Sequence, residues 1–150
     1  LKELLDMCII DTAPNFETAR KFIKNNTYDV AILDIMGVDG YSLLELTHKK
    51  GIPTIMVTAH ALSADNLVKS IKEGAQSYLP KDQMADISTY LVEIIAASEK
   101  TAGKSRKWLD RLMPFFNKKF GSDWKDQHQE FWAEYDRAQP VTRDEAEKML

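Results

Sequence analysis

The sequence is poor in cysteine, in long apolar runs and in net charge. Its 150 residues include one cysteine, Cys8. A lone thiol cannot close a disulfide within the chain, so a secreted disulfide scaffold is excluded and a reducing, cytoplasmic setting is expected. No apolar run approaches the roughly 18 residues that a membrane-crossing helix needs. A formal net charge of -3 argues against a chain built chiefly to neutralise nucleic-acid phosphates. What is present is enough for a core. Hydrophobic residues make up 44% and charged residues 29%, which separates the chain from disordered compositions.

The residues are unevenly distributed. Residues 1–100 hold 10 basic and 14 acidic residues, whereas residues 101–150 hold 10 and 9, together with all three tryptophans and eight of the fourteen aromatics. This shift predicts a domain over residues 1–99 and a distinct extension over 100–150, with Thr101–Ser105 as the joint.

Within the first part, short apolar runs alternate with amphipathic stretches. Met7–Ile10, Val30–Leu33, Ile52–Val57 and Gln76–Leu79 read as strands, the middle two apolar enough for burial on both faces. Between them lie helix patterns. One starts after Asn15 and carries Phe16, Ala19, Phe22 and Ile23 on one face. A second covers Ser42–Lys50 and stops at Gly51. A third follows Ser63 as N-cap and ends at Gly74. A fourth begins near Met84, with Ile87, Leu91, Ile94 and Ile95, and Leu1–Asp6 reads as the end of a further helix. Four rounds of alternation predict an α/β domain with a parallel sheet. Chemistry in such sheets collects at the carboxyl ends of the strands, where this sequence places Asp11, Asp34, Thr58 and Lys81. Each alone is an ordinary turn or surface residue. Together, an acid, a hydroxyl and an amine from successive strands can converge.

Three ordered segments carry a resemblance: Tyr28–Ile35 followed by Asp39–Tyr41, then Pro53–Ala59, then Gly74–Lys81. In this order and spacing the chain resembles the receiver domains of two-component response regulators over residues 1 to about 98. The resemblance implies a flavodoxin-like, doubly wound sheet in which Asp34 accepts a phosphoryl group from a sensor histidine kinase or phosphotransfer protein. It further implies that Lys81 supplies fixed positive charge, that Thr58 with the adjacent Ala59 binds phosphate and moves, and that Tyr78 changes rotamer with that movement. Mg²⁺ is the implied cofactor, held by Asp34, the backbone carbonyl of Met36 and an acidic pair. Such a domain is a switch acting through protein contacts, not an enzyme with an external substrate. The alternative is a pseudo-receiver, a phosphorylation-independent interaction or dimerisation module. A haloacid dehalogenase-type hydrolase also uses a strand-end aspartate, but it requires a second aspartate where this sequence has Met36. Tyr78 is equally an ordinary strand residue, Asp39–Gly40 a turn signal in any family, and His60 a plain surface histidine.

The sequence departs from the family pattern in three places. The acidic pair is not in the chain: Asp11 lies 23 residues before Asp34, about one strand–helix round too close. By register Met7–Ile10 matches the second strand, so a first strand, and about 25 to 30 residues for one strand–helix round, are expected upstream of Leu1. Without that strand, Met7–Ile10 loses its ladder partner and exposes apolar surface. Gly40 follows Asp34 by six residues, where the family usually has eight and a proline. Pro80 precedes Lys81, where the family has a proline after the lysine.

The extension contains two amphipathic patterns. Lys104–Lys119 holds six basic residues and one acid, with Trp108, Leu112, Phe115 and Phe116 at helical spacing. After Gly121, with Ser122 as the expected cap, an acidic pattern carries Trp124, Phe131, Trp132 and Tyr135. Pro140 ends it, and Val141–Glu145 resembles a capping box. Two readings follow: a helical hairpin closed over the domain, or a homodimer seam through the C-terminal helices. No nucleic-acid-binding motif is visible.

Overall fold

A computed structural model describes residues 8–37, 39–60, 62–100 and 106–137. The elements run α1 (Phe16–Asn25), β1 (Ala31–Asp34), α2 (Gly40–Lys49), β2 (Thr54–Thr58), α3 (Ala64–Lys72), β3 (Ser77–Pro80), a 3-10 turn (Lys81–Asp86), α4 (Ile87–Lys100), α5 (Lys107–Phe120), a second 3-10 turn (Trp124–His128) and α6 (Gln129–Arg137). The expected helix at Leu1–Asp6, the joint Thr101–Ser105, Pro140 and the capping box at Val141–Glu145 lie outside the described residues.

The three strands form a parallel sheet in the order β1-β2-β3. Every residue of β2 and β3 is buried, as expected for parallel strands with helices on both faces. Local signals set the helix starts. The Asn15 carboxamide accepts from the Thr18 N–H at 2.9 Å, and the Ser63 hydroxyl accepts from the Asn66 N–H at 3.0 Å. Each satisfies one of the donors that a helix N-terminus leaves unpaired. At the other ends, Gly51 and Gly74 adopt φ of 72° and 109°, left-handed values that glycine reaches at no steric cost.

Two expectations are corrected. Of the strand expected at Met7–Ile10, Met7 lies outside the described residues and Cys8–Ile10 is not a strand: it joins no ladder of the described sheet, and Ile9 is 97% exposed. Among the described residues β1 is an edge strand, and no ladder reaches Cys8–Ile10, so its apolar side chains have no face to enter. In the extension, Ser122 does not cap a helix. The chain turns through Gly121–Asp123 into the Trp124–His128 3-10 turn, and α-helix starts at Gln129. The tighter turn swings Trp124 inward against Phe116 and Phe120, contacts worth more than a solvent-exposed cap.

The extension shares its core with the sheet domain. Trp108, Leu109, Leu112, Phe116, Trp124 and Trp132 are buried in the same cluster as Leu43, Ile55, Leu67, Tyr78 and Leu91. The Phe116 and Tyr78 rings lie 6.3 Å apart, and Trp124 and Trp132 meet edge-to-face at 5.4 Å, within the range of favourable aromatic pairs. Polar contacts fasten the rim: Arg111 bridges to Glu93 of α4, and His128 Nε2 lies 2.8 Å from Asp65 of α3. Trp124 donates its indole N–H to Asn117 at 2.9 Å.

Candidate functional site

Sheet register brings the predicted residues to one edge. Asp34 ends β1 opposite Val57, and Thr58 ends β2 opposite Pro80, directly before Lys81. The ladder continues one step beyond Asp34, with the Ile35 N–H donating to the Val57 carbonyl at 3.1 Å. The lysine departs from the family pattern in its neighbouring prolines, yet its amine reaches the carboxylate. Lys81 Nζ is 2.5 Å from Asp34 Oδ2, in a pair whose side chains are 46% and 28% exposed.

The other carboxylate oxygen is held by the shortened loop. Asp34 Oδ1 accepts from the N–H groups of Met36 at 3.1 Å and Gly37 at 3.3 Å. Glycine fits this loop because a Cβ at Gly37 would stand 3.2 Å from the carboxylate. A Cβ at Gly40 would stand 2.5 Å from the Asp34 carbonyl oxygen. Packing α2 so tightly onto the strand end therefore requires glycine there, and the preceding Asp39 turns the chain with φ of 55°, a conformation that aspartate tolerates better than most residues. Burial pushes the Asp34 carboxyl up, but the hydrogen bond from Lys81, the two backbone N–H groups and the lysine charge together hold it below its ordinary value. The group is a carboxylate at neutral pH.

The remaining predicted residues divide. Thr58 is buried, and Ala59 and His60 are exposed on the loop that follows it. Tyr78 is fully buried. Its hydroxyl accepts from the Ser63 N–H at 3.2 Å and donates to the Ser63 carbonyl at 3.5 Å, which ties β3 to the N-terminus of α3. Burial pushes its pKa up to about 12. Asp11 stands apart from the site, accepting from the Tyr28 hydroxyl at 2.7 Å. Of the tail aromatics, Trp108, Phe116, Trp124 and Trp132 are buried within the chain, while Phe115, Phe131 and Tyr135 are half-buried against the same core. Sequence reasoning missed the Met36 and Gly37 N–H donors, the Ser63–Tyr78 tie and the His128–Asp65 contact. Only the first had a local signal, the glycine following a strand-end aspartate.

The response regulator receiver domain family matches residues 1–92, more than half of the 150-residue chain. The chain belongs to this family. Among solved structures it is similar to the receiver domain of the Francisella response regulator 1452, at 29% identity and a TM-score of 0.48, over 55% of this chain and 71% of that one. It is also similar to NtrX from Brucella abortus, at 23% identity and a TM-score of 0.49, over 59% of this chain and 21% of the NtrX chain. No curated protein sequence matches. Receiver domains typically bind Mg²⁺, so the described residues can be tested for fit. A hard divalent cation takes six or more oxygen ligands, several of them charged. Among the described residues no group of three or more His, Cys, Asp or Glu is placed to hold a metal ion, and both Asp34 oxygens are already engaged. The described residues do not fit the cation, and the chemistry below rests on the protein groups alone. No helix among the described residues is long and apolar enough to cross a membrane.

Proposed function

We propose that this receiver domain is a phosphoacceptor switched at Asp34 by a sensor histidine kinase or phosphotransfer protein, and that it signals through protein contacts. A carboxylate oxygen of Asp34 attacks the phosphorus of a phosphohistidine. The P–O bond forms as the P–N bond breaks, the imidazole leaves, and Asp34 becomes an acyl phosphate. Two anions must meet, so the reaction needs positive charge fixed where negative charge accumulates. Lys81 supplies it, moving from the carboxylate to the phosphoryl oxygens, while Thr58 offers a hydroxyl from the neighbouring strand end. The Met36 and Gly37 N–H groups orient the nucleophile before attack.

The observation that carries this reading is the 2.5 Å contact between Lys81 and Asp34, made across two strand ends with backbone donors on the opposite oxygen. The pseudo-receiver reading draws on a different observation, that among the described residues no group of three or more His, Cys, Asp or Glu is placed to hold a metal ion. One experiment separates them. The full chain is incubated with radiolabelled acetyl phosphate in Mg²⁺-containing buffer. Acid-labile, hydroxylamine-sensitive label is expected, reduced at least about a hundredfold in Asp34→Ala and Asp34→Asn. Wild-type protein that takes no label, or label that persists in both variants, would refute the phosphoacceptor assignment.

A further inference from the structure

The charge of Asp34 is offset by its own chain. Lys81 opens the 3-10 turn directly after β3, whose four residues are all buried. The strand therefore fixes the root of the side chain, and the amine stands 2.5 Å from Asp34 Oδ2. The second oxygen, Oδ1, accepts from the N–H groups of Met36 and Gly37 at 3.1 and 3.3 Å. The bend that presents these donors is anchored in turn, because the Ile35 N–H is held on the Val57 carbonyl at 3.1 Å. The Gly37 backbone also lies against the carboxylate, since a Cβ there would stand 3.2 Å from both Cγ and Oδ2. A divalent cation on this carboxylate would have to displace the amine from one oxygen, or approach the other against two N–H dipoles. Such paired N–H groups favour anions. The cation would also need further charged oxygens, and among the described residues no group of three or more His, Cys, Asp or Glu is placed to hold a metal ion.

We infer that Lys81 and the Met36 and Gly37 N–H groups are the whole counter-charge at Asp34, which takes a phosphoryl group with no divalent cation bound to it. The inference rests on the phosphoacceptor reading and adds to it that the transfer is independent of the cation. With acetyl phosphate as donor, Asp34 Oδ2 attacks phosphorus. The new P–O bond forms as the bond from phosphorus to the acetyl oxygen breaks, and acetate leaves with that electron pair. No proton changes hands, because nucleophile and leaving group are both carboxylates. Oδ1 becomes the carbonyl oxygen of the acyl phosphate and keeps its two N–H donors. Negative charge moves outward onto the phosphoryl oxygens, and the Lys81 side chain, 46% exposed, has room to follow it. Positive charge fixed where the negative charge accumulates is the requirement of the step, and the chain's own groups meet it.

The test uses the full chain and radiolabelled acetyl phosphate, in buffer containing either Mg²⁺ or EDTA. Acid-labile label in EDTA is expected to reach at least about half of that in Mg²⁺. In Lys81→Ala it is expected to fall about a hundredfold, in the range for removing one donor that stabilises transition-state charge. Mn²⁺, a paramagnetic substitute for Mg²⁺, is titrated separately into unphosphorylated protein and followed by water-proton relaxation. The curves for wild type and Asp34→Asn should coincide. Label that forms in Mg²⁺ and drops below half in EDTA overturns the cation-free inference and leaves the phosphoacceptor reading standing. Mn²⁺ held by the wild type and not by Asp34→Asn overturns it too, as does a loss under about tenfold in Lys81→Ala. No label in either buffer removes both readings together.

Discussion

At Cys8–Ile10 the chain carries an apolar run that stays in water, with Ile9 97% and Ile10 64% exposed. At Trp108–Phe116 an amphipathic stretch closes onto the sheet domain and buries Trp108, Leu109, Leu112 and Phe116. The two segments flank the same domain and differ in what they meet. Cys8–Ile10 joins no ladder among the described residues, and without a sheet face to enter the Ile9 and Ile10 side chains are left to water. The tail needs no ladder. A helix satisfies its own backbone hydrogen bonds, so it requires only a complementary apolar surface, and α3, β3 and α4 provide one around Tyr78. Apolar sequence predicts burial where the rest of the fold can accept the element, and not otherwise.

Removing the centre of the tail contact tests this contrast most strongly. Phe116 is fully buried and contacts Tyr78, Phe115, Phe120 and Trp124. Phe116→Ala is expected to destabilise the chain by about 3–5 kcal/mol, the range for a large aromatic lost from a packed core. Urea unfolding should be followed by two probes. Tryptophan fluorescence reports only the tail, since all three tryptophans lie there, and far-UV circular dichroism reports the whole chain. Coincident wild-type transitions are expected of one cooperative unit. Separate transitions, or a loss below 1 kcal/mol in the variant, would mean that the tail is an adornment and not part of the core.

Tyr78 gives a smaller effect with a sign that changes with pH. Its pKa is pushed up from the ordinary 10 to about 12 by burial. A raised pKa means that the hydroxyl stabilises the fold fully below pH 10, and that this contribution is lost as pH rises from 10 towards 12. At pH 7 Tyr78→Phe should cost about 1 kcal/mol through the hydrogen bonds to Ser63. Above about pH 11 the order should reverse, the variant becoming the more stable because it has no proton to lose on unfolding. Stability of both proteins measured from pH 8 to 12 decides this. Parallel curves would show that Tyr78 titrates as it does in the unfolded chain and is not sealed beneath the tail.

How much of this was legible in the sequence follows from the range over which each signal acts. The strand cores at Ala31–Asp34 and Thr54–Thr58, the caps at Asn15 and Ser63, and the stops at Gly51 and Gly74 are set by neighbours a few residues away, and a single sequence contains them. The alignment of Asp34 with Lys81 is long-range, yet strand–helix alternation fixed it, because parallel strands bring their carboxyl ends to one edge. The seat of the tail was not legible to the same degree. The aromatic stripe shows that α5 needs a partner surface but leaves open whether that surface is on the same chain or on another. The contacts that decide it join residues far apart in sequence: Tyr78 with Phe116, Glu93 with Arg111, Asp65 with His128. Ser122 misled for the opposite reason. A cap is a local preference worth about 1 kcal/mol, and the burial of Trp124 outweighs it.

The smallest expected effect belongs to the exposed side of the comparison. Ile9→Ser removes a large apolar side chain that touches almost nothing, so its transfer free energy is nearly equal in the folded and unfolded chain. Burying an isoleucine is worth about 1.5–3 kcal/mol, and none of that is at stake for a residue 97% exposed. The stability of the 150-residue chain should change by no more than about 0.5 kcal/mol, and urea midpoints for Ile9→Ser and for Ile9→Ser combined with Ile10→Ser should agree with wild type within error. A loss of 2 kcal/mol or more would place Ile9 in a buried site in solution. It would also remove the contrast between the two segments, because Cys8–Ile10 would then have found the partner face that the described residues do not provide.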